Sequence, residues 1–311
     1  MTHKISAVSM AMKDLSRELG ELETERSRAD LADLDVLGTR TLVERIAAED
    51  ATVPAAVDAA GDAISSAVDA IVDRLRGGGR LIYVGAGTPG RLGVVDAAEC
   101  IPTFGTPDGL VVAVIAGGAE AMTLSTEGAE DSSGAGTADM QSIHLGANDA
   151  VVGITASGRT PYVLAALEYA SAAGAATIGM SNNRDAALSA VVDVPIEVPT
   201  GPEVVAGSTR MKAGTAQKLV LNTLSTASMV RLGKTYGNLM VDVKASNEKL
   251  KVRARRIVAE ATGVSDEQAA DALNEADGHL KTAVVALLAA VPTGEARRRL
   301  DAADGYVRAA L

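Results

Sequence analysis

Aromatic and thiol side chains are almost missing from this 311-residue chain: it has no Trp, one Phe and a single cysteine, Cys100. With aromatics at 2% of residues, the stacking platforms used to bind single-stranded nucleic acid or polysaccharide are not available. One cysteine excludes an intramolecular disulfide and a cysteine metal cluster. His3, His144 and His279 are too scattered to suggest a ligand set and read as surface or packing residues. Positive charge is also short. The 29 Lys and Arg against 40 Asp and Glu leave a formal charge of −11, which opposes nonspecific contact with a nucleic-acid backbone. The longest apolar run near the end, Ala283 to Val291, is too short to cross a bilayer. No basic start joins an apolar core as a secretory signal would. The expectation is a cytoplasmic protein with neither a nucleic-acid nor a membrane partner.

Hydrophobic residues make up 47% of the chain, so a sizeable core must be packed from Ala, Val, Leu and Ile. That suits parallel strands under closely packed helices. Five apolar runs stand out: Arg80–Val84, Val111–Ala116, Ala150–Ala156, Ala175–Met180 and Val191–Val198. Helical stretches alternate with them, at Ala55–Arg76, Gly90–Cys100, Glu120–Glu130, Pro161–Ala173, Ala186–Ala190 and Thr209–Leu232. The alternation predicts an α/β fold of three layers, α/β/α, around a five-stranded parallel sheet of flavodoxin-like order, with its site at the strands' C-terminal ends. Residues 1–54 read as an N-terminal helical arm, 55–245 as the α/β domain and 246–311 as a C-terminal helical bundle. Leu31, Leu34 and Leu37 mark helical spacing in the arm, and Gly38-Thr39 reads as a break before Leu42, Val43 and Ile46 continue it. Glu248–Thr262 reads as a basic helix, followed by three short ones, the first with Ser265 and Gln268 spaced as a capping box.

Two strands of this plan run into the same device, a glycine-rich loop closing on Thr-Pro at the start of a helix. They are Leu81-Ile-Tyr-Val-Gly-Ala-Gly-Thr88-Pro89-Gly90-Arg91 and Val151-Val-Gly-Ile-Thr155-Ala-Ser157-Gly158-Arg159-Thr160-Pro161. Such loops aim N–H groups and a helix dipole at an anion. Thr88 and Thr160 are spaced as N-caps ahead of a helical Pro. The first loop also fits G-x-G-x-x-G, but the only acid near the expected interval, Asp108, lies in a turn before the second strand, so a dinucleotide is the poorer reading. In the following helix Leu92, Val95 and Glu99 recur at i, i+3 and i+7, which predicts an inward, half-desolvated Glu99 with Asp96 one turn away. Burial and a neighbouring acid would raise its pKa into the range of a proton carrier, although a cap or a buried ion pair explains such a residue as well. Glu127, Glu130 and Asp131 cluster nearby and fit either a solvated face or a second acid/base carboxylate. A third loop, Gly201–Thr215, contains Glu203, Ser208, Arg210 and Lys212 and opens a long Ala-rich helix with Ser208 as a natural cap. Gln217 and Lys218 are expected to be solvated.

These segments resemble the sugar isomerase (SIS) fold and, more closely, the N-acetylmuramic acid 6-phosphate etherase family. The resemblance is carried by Gly85–Cys100, Glu127–Asp131, Ala156–Tyr162, Gly201–Lys218 and Tyr236–Asp242, with weaker support from Thr24-Glu25 and Asn247–Leu250. It implies a lyase that cuts the lactyl ether of the phosphorylated sugar by elimination and then hydration, without metal or nicotinamide. It also implies a homodimer with the site near the subunit boundary. Glu99 falls on the family's proton-donating acid/base residue and Glu130 on its second glutamate. Thr88, Gly90, Arg91, Thr155, Ser157, Gly158, Arg159 and Thr160 match the sugar-phosphate loops, with Glu203, Ser208, Arg210 and Lys212 added from the third motif. Pro89 stands where the family has Ser, which removes a hydroxyl and an N–H worth about 1.5–3 kcal/mol as a charged hydrogen bond. Ile101 replaces a Pro, and Asn182–Asp185 replaces an Asn-Pro turn. The rival readings are a non-catalytic sugar-phosphate sensor like the glucokinase regulatory protein and an aldose–ketose isomerase. No basic helix-turn-helix segment precedes the domain to suggest a DNA-binding regulator.

Overall fold

The computed structural model describes residues 20, 22–243 and 248–311. His3 and Asn247 therefore lie outside the described residues. Strands β1 (Leu81–Gly85), β2 (Val111–Ile115), β3 (Ala150–Ile154), β4 (Ala176–Ser181) and β5 (Val194–Glu197) form one sheet of order β2-β1-β3-β4-β5. Every pairing is parallel. This is the five-stranded architecture that the alternating runs predict. Alternate residues of β1 feed two cores. Leu81 and Tyr83 join a cluster with Ile71, Ala97, Phe104 and Leu221, while Ile82 and Val84 face Tyr162, Val163 and Met140. Helices α3 (Gly61–Arg76), α4 (Gly87–Phe104) and α7 (Lys212–Arg231) thus cover one face, and α5 (Ser133–Ser142) and α6 (Pro161–Ala172) the other.

The predicted helix at 55–76 is split into α2 (Val53–Asp58) and α3, after α1 (Thr39–Asp50). α3 buries Ile64, Ala67, Val68, Ile71, Val72 and Leu75, one stripe at helical spacing, and stops at Gly77. Ahead of α1 the leucine spacing forms three 3₁₀ turns, Glu23–Glu25, Ala29–Leu31 and Leu34–Val36, and not the expected helix. Only Leu31 of the three leucines is buried there, so the arm lacks the continuous apolar face a helix needs. The arm is held by polar contacts instead. Asn183 Nδ2 donates to Thr24 Oγ1 at 3.0 Å, and Glu49 of α1 pairs with both Arg28 and the Lys212 Nζ, the latter at 2.8 Å.

Past the sheet, a short hairpin pairs β6 (Thr235–Tyr236) with β7 (Leu239–Met240). α8 (Glu248–Thr262) has the expected bounds, and the Ser265–Gln268 capping box opens α9 (Asp266–Glu275). After α8 the bundle holds four helices and not three: α9 is followed by α10 (Leu280–Ala289), α11 (Thr293–Ala302) and α12 (Val307–Ala310). The breaks fall where Ala290 and Asp304 take left-handed φ values that end a helix.

The polar centre of the first core is Asp96 on α4, 4% exposed. Its carboxylate accepts from Tyr83 Oη at 2.8 Å, Asn222 Nδ2 at 2.6 Å and Ser225 Oγ at 3.1 Å, which ties α4 to β1 and α7. Burial pushes the Asp96 carboxyl above its usual range, against these three hydrogen bonds, and burial also raises the Tyr83 phenol. Because the folded state holds the Asp96 proton more tightly than the unfolded state, this contribution is full below the unfolded value of 3.8 and is lost as pH rises through the folded value. We predict that the stability of Asp96→Asn relative to the parent rises with pH above about 4. Asp96→Ala should cost about 1–3 kcal/mol by leaving buried donors unpaired. Urea denaturation across this pH range checks both; an Asn variant that tracks the parent at every pH would contradict the first.

Candidate active site

The register aligns β1 and β3 so that Gly85 is opposite Ile154, and β3 and β4 so that Ile154 is opposite Met180. The loops after β1, β3 and β4 therefore leave one edge of the sheet side by side. In the β3 loop three hydroxyls converge. Thr155 Oγ1 lies 2.6 Å from Thr160 Oγ1 and 3.3 Å from Ser157 Oγ, which in turn accepts the Arg159 N–H at 3.2 Å. Thr160 occupies the N-cap position of α6, with Pro161 next, but its hydroxyl serves Thr155 rather than the helix. Gly158 has φ +72°, and a Cβ there would sit 2.4 Å from Ala186 Cβ, so only glycine lets the loop fold this tightly. The result is a small hydroxyl-lined seat over the start of α6, where the helix dipole favours negative charge.

In the first loop Gly85 and Gly90 pack backbone to backbone: a Cβ on Gly85 would lie 2.7 Å from the Gly90 nitrogen. α4 begins at Gly87, earlier than the Thr88 cap predicts, and Ala86 is its N-cap. Thr88 and Pro89 are consequently inside the first turn, where the missing proline N–H has no intrahelical acceptor to lose. The Thr88 methyl packs toward Gly214 of α7. Arg91 is turned to the chain itself: Nε donates to Met122 O at 3.2 Å and Nη2 to Leu124 O at 2.9 Å. It thereby holds the segment expected as a helix over 120–130. That segment is a loop with two 3₁₀ turns, Ala119–Met122 and Ala129–Asp131, because Gly117, Gly118 and Gly128 take positive φ. Between this loop and α4 lies a cleft of about 290 Å³ lined by Gly87, Arg91, Thr126, Glu127 and Glu130. Glu130 stands exposed on its lip.

The third loop is built differently from its sequence signal. Ser208 is not the cap of α7, which starts at Lys212. The capping group is Glu203, 1% exposed, whose two carboxylate oxygens accept the N–H groups of Lys212 and Ala213, each at 3.0 Å. Lys212 is buried with its ammonium on Glu49, whereas Arg210 is exposed. Gln217, expected in solvent, is fully buried and donates to Asn182 Oδ1 at 2.9 Å; Lys218 is exposed. Asn182 and Asn183 also bind Val198 O and Ala156 O, so the β4 loop is fastened to the back of the hydroxyl seat. The buried hydrogen bonds of these asparagines and of the Asp96 hub leave no signal of their own in the sequence.

Glu99 is the main correction. The buried stripe of α4 is Gly93, Asp96, Ala97, Cys100 and Phe104, not Leu92, Val95 and Glu99. Val95 is 54% exposed and Glu99 is exposed beside it. Glu99 also stands twelve residues beyond Gly87, about 18 Å along the helix at 1.5 Å per residue. A single chain therefore brings Glu130 to the first loop but leaves Glu99 far from it. Cys100, the buried neighbour, has its thiol pushed up to about 12, mainly by burial, and is inert as a nucleophile.

Comparison with known proteins agrees with the fold and narrows the family. Three family models match: the glucokinase regulatory protein N-terminal SIS domain over residues 63–171, the SIS domain over 118–227, and the C-terminal lid domain of glucokinase regulatory protein over 237–277. The chain is 60% identical over 297 residues to an N-acetylmuramic acid 6-phosphate etherase of Rubrobacter xylanophilus, covering 96% of this chain and 98% of that one. It is 56% identical over 299 residues to the protein of that name from Streptomyces avermitilis, covering 96% of each chain. The protein of the same name from Mycolicibacterium smegmatis is 53% identical over 294 residues, covering 94% of this chain and 99% of that one.

The geometry around Glu203 yields a separate expectation. Glu203→Ala should lower stability by about 1–3 kcal/mol, because two buried N–H groups lose their acceptor. Denaturant titration of this variant checks it; an unchanged midpoint with weakened ligand binding would return Glu203 to a direct binding role.

Proposed function

The chain belongs to the N-acetylmuramic acid 6-phosphate etherase family, and on that premise we propose how its residues carry the reaction. It is a lyase of cell-wall amino sugar recycling that cleaves the D-lactyl ether of N-acetylmuramic acid 6-phosphate to N-acetylglucosamine 6-phosphate and D-lactate. The observation that carries the assignment of its site is the convergence of Thr155, Ser157 and Thr160 at the end of β3. Three hydroxyls at a helix start suit the oxygens of a phosphate ester. The Gly158 and Arg159 amides and, from the first loop, Thr88 and Gly90 complete this seat. Arg91, Glu203 and Lys212 act on the scaffold: Arg91 shapes the Glu130 cleft, while Glu203 and Lys212 fix the third loop and the arm. Ser208 and Arg210 remain candidates for contact with the outer part of the sugar.

With the phosphate fixed, the open-chain sugar presents an aldehyde at C1 that acidifies the proton on C2. A carboxylate takes that proton, the C3–O bond breaks, and the departing lactyl oxygen receives a proton. Water then adds across the new double bond, its hydroxyl to C3 and a proton to C2, so that substrate plus water balances the two products. We assign the acid/base role to Glu99 and the second carboxylate to Glu130. The exposed Val95–Glu99 face of α4 supports a homodimer in which this face meets a partner and Glu99 reaches the partner's cleft. The division into arm, α/β domain and helical bundle belongs to the same proposal, with the arm clamped through Glu49 and Asn183 to the back of the site.

Incubation with N-acetylmuramic acid 6-phosphate should release D-lactate. Binding without lactate would favour a sensor, and isomerisation of a hexosamine phosphate without lactate would favour an isomerase. Glu99→Gln should fold and bind substrate but lose turnover; near-normal kcat would remove it from the acid/base role. Thr155→Val should raise KM about tenfold or more with a smaller effect on kcat, as loss of a charged hydrogen bond requires. Pro89→Ser, which restores a hydroxyl and an N–H beside the phosphate, should lower KM by up to about tenfold. An unchanged KM in that variant would mean that the β3 loop alone sets phosphate affinity.

A further inference from the structure

A cavity of about 730 Å³ lies away from the site just described. α4 starts at the first loop, and the residue after its last, Gly105, lines this cavity, so the two places are separated by the length of an 18-residue helix, about 27 Å. Its inner wall brings Lys234, which follows α7, against Lys281 in the first turn of α10. Both ammoniums share one acceptor: Asp242 Oδ2 lies 2.9 Å from Lys234 Nζ and 2.7 Å from Lys281 Nζ. One carboxylate thus balances two cations, and the Lys281 side chain is only 7% exposed. The outer rim is mixed and solvated, with Arg297 beside Asp277 and Asp301.

Unused donors accumulate at the inner wall. Each ammonium has three hydrogens, and Asp242 takes one from each. α10 opens at the same place. His279 Nδ1 accepts the Thr282 N–H, but the amides of Leu280 and Lys281, both buried residues, find no acceptor among the described residues. A ten-residue helix adds its positive end to this wall. Two ammoniums on one carboxylate, one of them buried, together with several unfilled donors and a cavity of ligand size, form a coherent set.

We propose that this cavity is a second binding site, for a small phosphate monoester, held by Lys234, Lys281 and the first amides of α10. Phosphate fits better than carboxylate because its three terminal oxygens can accept from both ammoniums and both amides at once, whereas a carboxylate has two. The proposal does not rest on the assignment of the hydroxyl seat.

The test is phosphate binding by the full chain, followed by calorimetry with inorganic phosphate as probe. Thr155→Val combined with Ser157→Ala weakens the seat, and in this background phosphate should still bind. Adding Lys281→Met should raise the remaining Kd at least about tenfold, as should Lys234→Met, whose parent residue is partly exposed and spares the fold if the first replacement does not. Absence of phosphate binding in the Thr155/Ser157 background would overturn the site, and so would a Kd indifferent to the lysine replacements. Acetate binding as tightly as phosphate would overturn the ligand class. If the seat itself were misassigned, the Thr155/Ser157 variant would leave phosphate stoichiometry at its parental value while the lysine variants still reduced it, so the two failures are separable.

Discussion

The rotation of α4 about its own axis decides how this protein works, and the buried Asp96 carboxylate sets that rotation. Three donors from β1 and α7 converge on it, so α4 cannot turn without stranding polar groups in the core. With Asp96, Cys100 and Phe104 facing in, Val95 and Glu99 must face out. A carboxylate assigned to chemistry then lies on an outer surface, beside an exposed valine. In the proposed homodimer a second copy of the chain covers this face.

Around that constraint the rest of the site is a matter of register. The in-line pairing of Gly85, Ile154 and Met180 delivers three loops to one edge, and each is fixed from behind by a different device. The first relies on contact between two glycines. The second relies on hydroxyls bonded to each other, which keeps them oriented. The β4 loop relies on two buried asparagines that reach Thr24 of the arm and Gln217 of α7. The arm is therefore part of the site's support, and the Glu49 carboxylate between Arg28 and Lys212 is its main anchor.

Much of this was legible in the sequence. The five strands, their parallel order, the bounds of α8 and the Ser265 capping box follow from apolar runs and cap spacing, which are local signals. The hydroxyl-rich second loop was legible for the same reason. What failed depends on tertiary partners. Leu92, Val95 and Glu99 have the spacing of a buried stripe, but small residues on the other side, Gly93, Ala97 and Cys100, pack closer to Tyr83 and α7 and win the core. Apolar periodicity does not distinguish a core from a face that a partner would cover. Thr88 and Ser208 look like caps because a hydroxyl precedes a helix in each case, yet Ala86 and the distant Glu203 carboxylate occupy the two helix starts. The stretch Glu120–Glu130 reads as a helix between two strands, but three glycines with positive φ make a loop that shapes the cleft.

In the proposed homodimer each active site takes Glu130 from one chain and Glu99 from the other, a division of labour between two chains. It is tested most directly by co-refolding equal amounts of Glu99→Gln and Glu130→Gln chains and measuring D-lactate release. Each variant alone should be nearly inactive. If the site is shared, random pairing leaves one intact site in each mixed dimer and restores about a quarter of parental activity per chain. A mixture that forms mixed dimers yet stays as inactive as its two components would show that Glu99 and Glu130 act within one chain, and would contradict the account.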